Sequence, residues 1–132
     1  MPLTLLNFHE YHYTIDGFQA HVLSADSLPL ANDAIATITG CLTKGVTPYA
    51  YRVKDGDSVL SGHSDGGMFG ASKELCGILE QAEIENALLV VHKPGDRMLG
   101  LNSRNNPSLL KAAKSALANS FLMDKAIQDT VG

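Results

Sequence analysis

The stretch YHYTIDGFQAHV, Tyr11 to Val22, decides how this chain is read. Asp16-Gly17 is the pair that a two-residue type I′ hairpin turn demands, because both central residues of that turn need positive φ. The turn pairs Ile15 with Phe18 and sets every pair beyond it: Thr14 with Gln19, Tyr13 with Ala20, His12 with His21, Tyr11 with Val22. One side of the hairpin is then Tyr11, Tyr13, Ile15, Phe18, Ala20 and Val22. The other is His12, Thr14, Gln19 and His21. One apolar and one polar side suit a half-buried antiparallel pair, and a one-residue slip would mix them.

Working outward, Gly17 recurs as Gly56 and Gly95, 39 residues apart each time, in the turn pairs Asp55-Gly56 and Pro94-Gly95. Strand-like residues flank each turn and a helix-like stretch follows it. The pattern predicts three ββα units, about residues 8–45, 46–85 and 86–128, within a single domain spanning 1–132. An Asp55-Gly56 turn pairs Lys54 with Asp57, Val53 with Ser58 and Tyr51 with Leu60. In the third unit Ala87 to Val91 reads ALLVV, with Arg97 to Leu101 as its partner strand around a Pro94-Gly95 turn. Runs apolar on both faces mark a central strand covered twice.

Apolar residues at helical spacing follow each hairpin. They are Ala31, Ala34, Ile35, Ile38 and Leu42 in the first unit. The second has Met68, Ala71, Leu75, Ile78, Leu79 and Ala82. The third has Leu110, Ala113, Leu117 and Phe121. Asp26 or Ser27 before Pro29, and Asn106 before Pro107, read as helix caps with proline in the first turn. A strand, a helix and a further parallel strand make a crossover, and such crossovers are right-handed in nearly all sheets. The expected fold class is α+β: a two-layer domain with a mixed, mainly antiparallel six-stranded sheet and three helices on one face. His12, Thr14, Gln19 and His21 would lie on the open face. The second apolar side of the third hairpin would need a cover, from a dimer partner or an N-terminal segment.

Composition narrows the function classes. The 132 residues are 45% hydrophobic and 18% charged, ordinary for a globular domain. A domain of this length buries enough surface to fold without disulfides or metals. Cys41 and Cys76 form no metal-binding spacing and read as reduced, buried thiols. No basic n-region or cleavage site follows Met1, and no apolar run approaches the roughly 20 residues of a membrane span. The expected setting is cytoplasmic, away from membranes. The net charge of −4 arises in the first third, where Glu10, Asp16, Asp26 and Asp33 stand without a Lys or Arg before Lys44. An acidic chain argues against nucleic acid as a partner. Lys93, Arg97, Arg104, Lys111 and Lys114 make a late basic stretch, read as a solvated surface.

Three groups of residues carry possible chemistry. The first is His63-Ser64-Asp65-Gly66-Gly67, followed by Ser72-Lys73. A glycine-rich turn at a helix N-terminus offers backbone N–H groups to an anion, with His63, Ser64, Gly66, Gly67, Ser72 and Lys73 as candidate ligand contacts. Asp65 opposes an anion, and plain helix capping by Ser64 or Asp65 is the simpler reading. The second is Asn102, Ser103 and Arg104, at the same place in the third unit. The third is the cross-strand pair His12 and His21, an alternative histidine face. Two imidazoles fall short of the three or four ligands of a stable zinc site, so no metal is expected. No cofactor is named by the sequence. No Ser, His and acid are brought together by spacing, and no serine sits in a GxSxG elbow.

The reading that follows is a small soluble binding domain, a homo-oligomer, most simply a dimer. Its ligand is a protein partner or a small anion. The alternatives are a small enzyme using His12, His21 or His63 in acid–base chemistry, and a purely structural or inhibitory protein.

Overall fold

A computed structural model describes residues 10–41, 45–95 and 107–118. The most apolar strand, β6 (Ala87–Pro94), organises them. Around it stand β1 (Glu10–Ile15), β2 (Phe18–Ser24), β4 (Tyr49–Asp55) and β5 (Ser58–Ser64), in the order β1-β2-β6-β4-β5. All neighbours are antiparallel. A two-residue strand β3 (Gly45–Val46) pairs with the end of β6. Three helices lie among the described residues: α1 (Leu28–Cys41), α2 (Ala71–Gln81) and α3 (Pro107–Ala118).

The first hairpin has the register its turn demands, from Ile15↔Phe18 through His12↔His21 to Glu10↔Leu23. Asp16 and Gly17 both have positive φ, 51° and 84°, as a type I′ turn needs. The second hairpin differs. Asp55 pairs with Ser58, Lys54 with Val59, Val53 with Leu60 and Tyr51 with Gly62. Its central residues are therefore Gly56 and Asp57. Gly56 has φ 64° and Asp57 is not among the positive-φ residues, which is the glycine-first pattern of a type II′ turn. The shift of two residues removes the expected Lys54–Asp57 pair but leaves every side chain on its expected face, because the strand period is two.

β2 and β4 run parallel to each other, as the crossover argument requires, but β6 lies between them and is antiparallel to both. The expected mixed sheet is therefore antiparallel throughout. The expected third hairpin finds no free edge over the first half of β6. Over 87–90 both edges of β6 are taken, by β2 and β4, while residues 97–101 lie outside the described residues. Neither the sixth full strand nor the three-unit ββα repeat appears among the described residues.

The helices divide between the two faces. Phe18, Ala20, Val22, Ala50, Leu89 and Val91 face α2 and α3, meeting Leu75, Leu79, Leu109, Ala113 and Leu117 in the main core. Leu23, Leu88 and Val90 face the other way, onto Ala34 and Ile38 of α1. The expectation of three helices on one face is thus overturned. β2-α1-β4 and β5-α2-β6 cross in opposite directions on antiparallel strands. With α1 and α2 on opposite faces, the two crossovers have opposite hands, against the usual preference. The physical reason lies in β6. Leu88 and Val90 are as fully buried as Leu89 and Val91, so both faces of this strand need a helix. α1 supplies the second cover that the sequence assigned to a dimer partner or an N-terminal segment.

Local chemistry explains the helix ends. Ser27 Oγ accepts the Leu30 N–H at 3.2 Å, an N-cap bond to the third helical residue. Arg52, reaching from β4, donates from Nη1 to Ile84 O at 3.1 Å and to Leu79 O at 3.4 Å. It places a cation at the C-terminus of α2, where carbonyls lack helical partners. At the tip of the first hairpin, Ser108 Oγ of α3 donates to Asp16, and Lys93 Nζ donates to Asp16 O at 3.3 Å while lying 4.5 Å from the Phe18 ring centroid.

Candidate functional site at the β5 edge and the loop to α2

Among the described residues β5 pairs with β4 alone, so it forms an edge of the sheet. Its sequence, SVLSGHS, contains no charged residue and no proline. Those are two of the devices by which proteins blunt an exposed edge. Ser58 to Ser61 and His63 are exposed. Val59 and Leu60 keep 39% and 37% of their surface, and Phe69, in the loop after β5, keeps 73%. Gly62 has its place because of Tyr51. A Cβ there would lie 2.3–2.6 Å from the Tyr51 ring, which covers the glycine from the neighbouring strand.

The loop from Asp65 to Gly70 leads into α2 through three glycines of positive φ, Gly66, Gly67 and Gly70. Gly66 is pressed against the connection between β3 and β4. A Cβ there would stand 2.1 Å from Thr47 O, and Gly66 O accepts the Thr47 N–H at 2.9 Å. Gly67 sits against Val46, 3.0 Å from a built Cβ. These glycines permit close packing of backbone on backbone.

Asp65 occupies the place the sequence reading offered to an external anion. Its Oδ1 accepts the Ser72 N–H at 3.0 Å and the Ser72 hydroxyl at 2.6 Å, and its Oδ2 accepts the Gly70 N–H at 3.3 Å. The Ser72 hydroxyl, the Ser72 amide and the Gly70 amide hold this carboxyl below the usual carboxylate range, against the opposing effect of burial. Ser72 is 3% exposed. Its hydroxyl proton goes to Asp65, so its oxygen accepts from His63 Nδ1 at 2.9 Å and the imidazole takes the Nδ1–H form. The order is acid, hydroxyl, imidazole. A nucleophilic serine needs the imidazole in the middle, free to take the hydroxyl proton. Here Ser72 braces His63 and the start of α2. Ser64 Oγ accepts the Gly66 N–H at 3.3 Å within the same loop, and Lys73 is exposed on the first turn of α2.

The structure thus brings His63, Ser64, Asp65, Gly66 and Ser72 together, while Asn102, Ser103 and Arg104 lie outside the described residues. The histidines separate. His63 pairs with Ala50 and shares the α2 face, whereas His21 shares the opposite face with Leu23 and Val90. His21 and His63 therefore do not converge as an acid–base enzyme drawing on both would need, and His12 is in register with His21. The open histidine face is also smaller than expected. α1 covers its centre, Thr14 is exposed, and Gln19 and His21 are half-buried.

Sequence reasoning passed over His92, which stands opposite Gln19, is 1% exposed, and shares a 2.9 Å hydrogen bond between its Nδ1 and Thr47 Oγ1. Burial pushes its imidazole below the ordinary histidine value; a hydrogen bond with the Val46 backbone opposes this and nearby His21 adds to it. The described residues hold no group of three His, Cys, Asp or Glu side chains that could bind a metal ion. Partial burial and the Glu80 carboxylate push the Cys76 thiol up, away from thiolate chemistry. A groove of about 310 Å³ between α2 and α3 is lined by Ile78, Gln81, Ala82, Lys114 and Leu117. No helix among the described residues is long and apolar enough to cross a membrane. Val59, Leu60 and Phe69 were also passed over. The one sequence signal for them was the lack of charge between Ser58 and Ser64.

No family model matches the chain, and no curated protein matches it. Among solved structures, the chain is similar to the two-domain translational regulator Yih1, with a TM-score of 0.55 at 15% sequence identity. The likeness covers 84% of this chain and 46% of that one, so the chain spans less than half the length of that neighbour. At this identity the likeness is one of fold.

Proposed function

We propose that this chain is a protein-interaction domain that takes an extended strand of a partner onto β5. One observation carries the reading: the large hydrophobic residues exposed among the described residues, Val59, Leu60 and Phe69, all fall on β5 or the loop that follows it. An edge strand offers a row of backbone donors and acceptors, and side chains on alternate faces supply selectivity. The uncharged run from Ser58 to Ser64 matches an equally uncharged, β-branched or small segment. A small anion is the weaker ligand at this end of the sheet, because Asp65 already takes the Gly70 and Ser72 amides.

The test is selection of displayed random peptides on the immobilised chain, with amide exchange as the readout. Selected peptides should be rich in β-formers, should slow exchange along β5, and should lose at least tenfold in affinity against Leu60→Lys. Peptides that protect another surface, or a selection that yields none, would refute the proposal.

A further inference from the structure

We infer that the strand added to β5 is a second copy of this chain, antiparallel to the first and centred on Ser61. This inference rests on the reading of β5 as a docking edge and adds the identity and register of the occupant. The two-residue loop Gly56-Asp57 makes Asp55↔Ser58 the closing, hydrogen-bonded pair of the hairpin, and bonded and non-bonded pairs alternate from there. Leu60 and Gly62 therefore direct their backbone groups to β4. Val59, Ser61 and His63 direct theirs outward, along the exposed edge. Ser61 is the midpoint of that outward set.

A two-fold axis through Ser61 pairs Ser61 with Ser61 of the second copy, and Val59 with His63 of the second copy, twice. All outward groups then find partners, in about six backbone hydrogen bonds. Centring the pair on Leu60 or Gly62 leaves His63 or Val59 without one. The same register sets Leu60 opposite Gly62 of the second copy, in a non-hydrogen-bonded pair, where side chains approach most closely. The glycine carries no side chain there, and the Tyr51 ring lies across it. Leu60 of one copy thus meets Tyr51 of the other, and the contact repeats by symmetry, as an isologous interface requires.

Charge favours this edge for self-association. The chain carries −4, so two copies repel overall and associate best where no like charges meet. β5 is uncharged along its length. Asp57 stands in the turn, beyond the paired segment. Asp65, which the register sets across from Asp57, has its carboxylate turned inward to Gly70 and Ser72.

The experiment uses the full chain with Cys41→Ala and Cys76→Ala, carrying either Ser61→Cys on the axis or Ser58→Cys away from it. Sedimentation, a short thiol cross-linker and amide exchange are read across concentration. The expected result is a dimer that cross-links through position 61 and not through 58. Exchange at Val59, Ser61 and His63 should slow as concentration rises. In the wild-type chain Leu60→Lys should weaken the dimer at least tenfold without changing the urea midpoint of the monomer. A chain that stays monomeric up to about 1 mM, the range of the weakest specific contacts, overturns the inference. So does a dimer that protects or cross-links elsewhere. If selected peptides still bind β5 of a monomeric chain, only the identity of the occupant falls; if they do not, the docking edge falls with it.

Discussion

Gly66→Ala is the sharpest test of how the loop before α2 is built. Two effects add. The residue has φ 53°, and an L side chain in that left-handed region costs about 1–2 kcal/mol. The new Cβ would also lie 2.1 Å from Thr47 O, 2.3 Å from Thr47 C and 2.7 Å from Pro48 N. All three are backbone atoms, so the β3–β4 connection must retreat by roughly an ångström, an overpacking strain of about 1–3 kcal/mol. Retreat also stretches the 2.9 Å bond from Thr47 N to Gly66 O. The expected loss is about 2–5 kcal/mol, a large share of the roughly 5–15 kcal/mol that stabilises a domain. Gly56→Ala is the control. It has φ 64° but nothing within 4 Å of its Cβ, so only the conformational cost of about 1–2 kcal/mol applies. Urea unfolding of the two variants should separate their midpoints by about 0.5–1.5 M, at a slope of about 2 kcal/mol/M. Equal destabilisation would show that the close approach of Gly66 to Thr47 contributes nothing.

Three further outcomes follow from the packing. Gly77→Ala, inside α2 with nothing within 4 Å of its Cβ, should raise stability by about 0.5–1 kcal/mol in the same urea assay. Arg52→Met leaves the Ile84 carbonyl without its Arg52 donor, while Leu79 O keeps the Ile84 N–H, and should cost about 1–2 kcal/mol. It should also speed amide exchange at Ala82 to Ile84. His92 has its folded pKa below the unfolded value near 6.5, so the folded chain takes its proton later than the unfolded chain does. Its contribution is intact above about pH 6.5 and is lost as pH falls toward the folded pKa. Urea midpoints should therefore drop between pH 7.5 and 5, and drop less in His92→Gln. A second loss, removed by Asp65→Asn, should appear only below about pH 3.9, because the Asp65 carboxyl is held low by its Ser72 and Gly70 donors.

The candidate site was legible in part. The glycines and Ser64, Asp65 and Ser72 mark a tight lead into a helix, which is where they stand. Their roles were not legible. Whether Gly66 faces a ligand or the Thr47 backbone depends on residues far away in sequence. Whether the α2 amides are free depends on how Asp65 turns. The edge itself left one trace, the uncharged run from Ser58 to Ser64, which means little until the strand order is known. The second hairpin shows the limit of pattern. Asp55-Gly56-Asp57 accommodates either of two turns, two residues apart in register, and alternation cannot choose between them because both keep the same faces.

What the amino-acid order determined alone was what neighbours along the chain can enforce. The register of β1 and β2 follows from Asp16-Gly17 and the alternation around it. The start of α1 follows from Asp26 or Ser27 before Pro29, and the double burial of β6 follows from its apolar run. The tertiary structure alone decided the rest: that β6 inserts between β2 and β4, that α1 takes the opposite face from α2 and α3, and that β5 is left at the edge. These are choices among distant partners. Turn chemistry and periodicity act over a few residues, whereas strand order and the face each helix takes depend on contacts between segments far apart in the chain.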